Sequence, residues 1–215
     1  MKLSYFILFF LLVQFQSYAQ KLSRDVKDSL RIVLDEMGRQ DQKHRWEIMY
    51  GTNIQSKIDF INKLPIKEIG RICCEHKRNN KPQIDSLSKI QNRIDKENRN
   101  KLVEIINKYG FPSPKRVKSS TTEYILLHFA SSKEFKLLNP IFLKEIKNGN
   151  MPGRIYASWF DRILYDKGEE QLYGEYNKRA LNVENIENTN HERKKIGLKK
   201  LKKNDLGKIQ VIPKC

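Results

Sequence analysis

From residue 22 the apolar positions Leu22, Val26, Leu30, Val33 and Met37 recur every three or four residues, which predicts a helix with one buried face. Carried one turn further, the stripe reaches Asp41 and then His44 or Arg45, so a face built for burial ends in charge. Asp41 and Arg45 stand four apart and can pair on that face. Residues 50–85 are less regular. Ile54, Ile58 and Ile61 predict a short helix, Pro65 interrupts it or starts the next one, and the polar run HKRNNKP reads as a loop. A long helix is expected over residues 86–109, with Leu87, Ile90, Ile94, Leu102, Ile105 or Ile106, and Tyr109 on one face and Gly110 and Pro112 ending it. Its apolar face is interrupted at Asn98, with Asp95 beside it; burying either group unpaired would cost a few kcal/mol.

After the loop GFPSPKRV, Ser119 or Ser120 can cap a short helix containing EYILLHFA, which places His128 on or near an apolar face. Asn139-Pro140 is read as the start of a helix through IFLKEI, with Asn as cap and Pro in the first turn. Met151-Pro152 similarly opens a helix that stops at Gly168 and carries Asp161 and Arg162 between Trp159-Phe160 and Ile163-Leu164. Beyond it, QLYGEYNKRALNV alternates loosely. TNHE fits a capping box before a short helix ending at Gly197. The fold class that follows is mainly α: a single helical domain over residues 20–201, with an insert at about 50–85 and a short irregular or β-hairpin segment near residues 169–183. A basic tail occupies 202–215.

The first residues change the picture of where this domain works. MKLSYFILFFLLVQFQSYAQ has one positive charge, an apolar run over residues 5–13 and small residues before a break after Ala19, the plan of a secretory signal peptide. The run falls short of the roughly 20 residues that span hydrocarbon. A secreted or periplasmic protein with no membrane span after cleavage is therefore expected. With 42 Lys and Arg against 25 Asp and Glu, the net charge of +17 would attract polyanions. The cations are spread along the chain without interleaved aromatics, so nucleic acid is not an expected partner. Cys73 and Cys74 are adjacent, about 3.8 Å between Cα atoms, shorter than the usual disulfide span; either can instead pair with Cys215, or both can be buried apolar filling. No Cys/His spacing suggests zinc, and no phosphate loop, GxSxG or HExxH is present. No cofactor is expected; a third possibility beside binding and hydrolysis is a hard metal ion such as magnesium, calcium or manganese on His128 and two or three aspartates.

The polar interruptions have an order. MGRQDQKHR, DKENRNKLVEIINKYGFP, His128 with Ala130, ASWFDR, GEEQLYG and NHERKKIGL together resemble the bacterial family catalogued as domain of unknown function 6624, over most of the chain outside the insert. The resemblance implies a mostly helical, frequently exported domain and carries no established activity. It marks Asp41, Gln42, Arg45, Asp95, Asn98, Gly110, His128, Asp161, Arg162, Gln171, Tyr173, Gly174 and Arg193. Two departures stand out: Leu127 where the family usually has glutamine, and Glu175-Tyr176 where it usually has Thr-Gln.

These residues suggest one polar pocket built from several helices. Asp41, Asp95, His128 and Asp161 are the candidate catalytic groups, since carboxylates and a histidine supply acid and base near neutral pH. Arg45, Asn98, Arg162, Gln171, Tyr173 and Arg193 are the candidate ligand-binding groups, arginine suiting an anionic group. The preferred reading is a binding or interaction module for an unknown small or anionic ligand, in which Asp161 caps a helix start or pairs Arg45 and Arg162 pairs Asp41 or Asp95. The alternative is an exported hydrolase. Oligomeric state is not readable from the sequence.

Overall fold

A computed structural model describes residues 21–129, 131–176 and 185–202. Among them the chain is mainly helical, with no strand. The helices are α1 (Arg24–Gln42), α2 (Arg45–Tyr50), α3 (Gln55–Asn62), α4 (Ile66–Asn79), α5 (Lys81–Tyr109), α6 (Pro114–Val117), α7 (Thr121–Leu127), α8 (Ser132–Lys147), α9 (Gly153–Lys167) and α10 (Ile186–Lys195).

The stripe on α1 forms as its spacing predicts: Leu30, Leu34, Met37 and then Asp41 are buried. That face packs on α5 and α7, and the insert helices α2 and α4 pack on each other and on α5. Two close approaches set the geometry. Gly38 of α1 lies so near α7 that a Cβ would stand 2.6 Å from Thr121 Cγ2. Gly153, the first residue of α9, lies against the Ile196 carbonyl, which leaves no space for any side chain.

The centre of the core is Trp159 on α9, fully buried. Phe142 meets it edge-on with ring centroids 4.9 Å apart, and Phe135 stacks on it at 5.9 Å. Its indole N–H donates to the Phe129 carbonyl at 3.4 Å. A side chain of this size ties α8, α9 and the end of α7 into one unit.

Four boundaries differ from those expected. The HKRNNKP run is helical over most of its length, because Asn80 is only a joint between α4 and α5; α5 starts at Lys81 with Pro82 in its first turn, where a missing N–H costs nothing. Pro140 lies inside α8, whose N-cap is Ser131 accepting from Glu134 N; the buried positions Leu138 and Phe142 on either side of it carry the helix through. Thr189 is an interior residue of α10, whose N-cap is Asn185 accepting from the Glu187 and Asn188 amides. The loop before α7 contains the single turn α6. In the 169–183 segment, residues 169–176 are irregular, and the rest of the expected hairpin lies outside the described residues. Cys73 is a free thiol and Cys74 is disulfide-bonded. Cys215 and residues 1–20 lie outside the described residues.

Candidate functional site

The stripe of α1 ends at Asp41, fully buried, and its carboxylate is where three elements meet. Oδ1 faces His128 Nδ1 at 2.8 Å, from the end of α7. Arg45, in the first turn of α2, reaches Oδ1 with Nη2 at 3.0 Å and Oδ2 with Nε at 3.3 Å. Gln42 Nε2 adds a bond to Oδ2 at 2.6 Å. The pairing of Asp41 with Arg45 is thus the one their spacing allows.

From Arg45 the network crosses to α5. Its Nη2 also donates to Asp95 Oδ1 at 2.6 Å, so one guanidinium bridges two carboxylates. Gln91 Nε2 donates to Asp95 Oδ1 and to the Asp41 carbonyl, both at 2.9 Å, and Gln91 Oε1 accepts from the His44 amide at 3.3 Å. Asn98, buried on the same α5 face, donates to the Met37 carbonyl at 3.2 Å. Asp41, Arg45, Gln91 and Asp95 thus satisfy one another and Asn98 is satisfied by backbone, as burial requires, while the buried His44 Nδ1 has no partner among the described residues.

Burial alone would raise the Asp41 carboxyl. The hydrogen bonds and charges of His128 and Arg45 outweigh it and hold the group below the ordinary carboxylate range. Asp41 is therefore an ionised carboxylate near neutral pH. It holds one ring nitrogen of His128, and Nε2 has no partner among the described residues; the His128 side chain is about 24% exposed. That is the arrangement in which a carboxylate orients an imidazole and its far nitrogen can move a proton.

Beside Asp41 opens a cavity of about 640 Å³ between α1 and α7, its polar lining including Arg39, Gln42 and Gln55 as well as Asp35 and Asp41, with Trp46 and Tyr124 as walls. Tyr124 is 58% exposed, so its ring stands open to solvent. Among the described residues no group of three or more His, Cys, Asp or Glu could hold a metal ion. Arg45 already stands between the two carboxylates, where a cation would otherwise sit.

Asp161 and its neighbours form a second cluster. No hydrogen bond or ion pair among the described residues joins it to the first. Asp161, fully buried on α9, accepts from the Tyr173 amide at 2.9 Å and from the Glu175 amide at 2.7 Å. Gln171 Oε1 accepts from the Tyr176 amide at 3.1 Å. Arg193 of α10 clamps the same segment, donating to the Tyr173 carbonyl at 2.5 Å, to Glu175 Oε1 at 2.9 Å and to the Lys199 carbonyl at 2.6 Å. Arg162 pairs Asp166 at 2.7 Å and donates to the Tyr176 hydroxyl at 2.6 Å. The expected partners of Asp161 and Arg162 are thus replaced: the acid fastens an irregular segment rather than a helix start or Arg45, and the arginine reaches neither Asp41 nor Asp95. Local sequence explains this, because Gly168 ends α9 and returns the chain alongside it with its amides facing inward. Glu175 and Tyr176 are both used in this network. Burial pushes the Asp161 carboxyl up to about 6, the facing amides opposing the shift.

Several participants were not among the sequence candidates. Gln91 had a signal, since it lies seven residues from both Ile84 and Asn98 and so shares their buried face. Trp46 and Tyr124 had none, because only the packing of α2 and α7 on α1 brings them to one cavity. No family model, curated protein or solved structure matches the chain.

Proposed function

We propose that the chain is an exported helical domain that binds a small polar ligand in the cavity beside Asp41. The family resemblance belongs to this proposal and is supported by the order of the motifs. The observation that carries the reading is the cavity itself: Arg39, Gln42 and Gln55 supply polar groups, the buried Asp41 carboxylate holds Gln42 in place, and two aromatic walls, one of them largely exposed, flank them. Apolar walls with a few fixed polar groups are what a small-ligand site needs. The Asp161 cluster is a structural clasp that keeps residues 171–176 on α9.

Thermal-shift screening of the mature protein against cell-envelope fragments tests this, since a ligand of the native state raises the midpoint. Tyr124→Ala, at a largely exposed ring, should keep the wild-type midpoint without ligand and lose the stabilisation. Stabilisation that survives this substitution places the ligand elsewhere.

One observation favours a second reading, an exported hydrolase. Asp41 holds His128 Nδ1, and Nε2 has no partner among the described residues, so the pair can take a proton from a water or hydroxyl of a molecule bound on the His128 side of Asp41, outside the cavity lining itself. Under this reading His128→Ala abolishes turnover of a ligand found in the screen while binding persists. Turnover unaffected by that change refutes it.

A further inference from the structure

The geometry points to a second binding site, for a compact ligand carrying several phosphate groups, in the cleft between the start of α1 and the α6 turn. The cleft has a volume of about 860 Å³. Lys21, Arg24, Lys27, Lys115 and Lys118 converge on it, and none of them makes a side-chain hydrogen bond or ion pair with any described residue. The one acid in its lining, Asp28, faces Arg31 at 3.5 Å. These cations share one concavity, and an anion bound there relieves their mutual repulsion.

Two further features make this a built site. The walls are fixed, because Leu22 and Val117 at its base are both buried in the main core. Lys118 is the one non-glycine residue with positive φ among the described residues, at 55°. That left-handed conformation disfavours a branched or long side chain and would suit glycine. Lys118 ends the α6 turn, its amide donating to the Pro114 carbonyl at 2.9 Å, so the turn fixes where its side chain leaves the backbone.

The lining selects the ligand class. It contains no aromatic ring, so nothing can stack on a base or sugar face. Its cations without a partner among the described residues are four lysines and one arginine, enough positive charge in one concavity to meet several phosphate groups at once. A soluble oligophosphate or densely phosphorylated small molecule fits, and the Asp41 cavity is independent of it.

Calorimetric titration of the mature protein with sodium tripolyphosphate at near-physiological salt tests the assignment. One site is expected. Replacing Lys27, Lys115 and Lys118 together by glutamine should weaken it by at least about tenfold, the loss of a single good charged contact. Removing the same charge at Lys57, Lys63 and Lys67, exposed on or beside α3 and α4, should leave it unchanged. Lys118→Gly is the sharper probe: it should raise the melting midpoint by relieving the strain while weakening binding. Equal weakening by both triple substitutions means diffuse surface attraction and overturns the site. So does binding to phosphatidylcholine vesicles doped with phosphatidylglycerol without binding of tripolyphosphate, which would make the cleft a membrane contact.

Discussion

Replacing Asp161 by asparagine keeps the shape of the side chain and changes one atom. In the wild type each carboxylate oxygen accepts a different backbone amide, from Tyr173 at 2.9 Å and Glu175 at 2.7 Å. The asparagine NH2 cannot accept, so one buried amide loses its partner, at a cost of about 1–3 kcal/mol. For a chain of this size each kcal/mol lowers the midpoint by about 2–4 °C. The pH dependence is sharper still. The Asp161 carboxyl is raised from 3.8 to about 6 in the fold, so between those values the unfolded chain is ionised while the folded one holds its proton. Its contribution to stability is then full below 3.8 and declines until pH passes 6. Asparagine does not titrate, so subtracting the variant cancels every other group. The wild-type advantage, measured by urea unfolding, should shrink by about 1 kcal/mol from pH 5 to pH 7. An advantage that grows over that interval would mean the facing amides outweigh burial, and the assignment of the cause would be wrong.

Asp41 should show the opposite sign. Its carboxyl is lowered in the fold, so its stabilisation is complete above the ordinary value of 3.8 and is lost as pH falls below it through the folded value. Acid unfolding of the wild type and Asp41→Asn should therefore converge at low pH. Asp41→Ala at neutral pH leaves Arg45 and His128 without their shared acceptor and should cost about 3–5 kcal/mol by denaturant titration. Gly153→Ala drives a methyl into the Ile196 carbonyl, and because backbone cannot turn aside, a loss of about 3 kcal/mol is expected from the same measurement. Trp159→Ala empties the centre of the aromatic cluster and should cost about 3–5 kcal/mol, with loss of near-ultraviolet circular dichroism.

Sequence by itself determined the helical class and much of the element plan. Hydrophobic period is a local property: Leu30, Met37 and Asp41 recur at helical spacing whatever they pack against, and Gly168 ends α9 by its own backbone freedom. Where local signals conflicted, the fold decided. Asn139-Pro140 and Thr189 carry the chemistry of helix starts, yet packing of Leu138 and Phe142 and capping by Asn185 place the real starts upstream. The sequence also showed that charged groups interrupt apolar faces, which calls for pairing wherever those faces are buried. It could not say with whom. Asp41 finds His128 across 87 positions and Arg45 finds Asp95 across 50, whereas Asp161 turns to a segment a dozen residues on. Distances of that kind depend on which helix faces meet, and only the tertiary structure fixes them. The division of one expected pocket into a ligand cavity and a structural clasp follows from that.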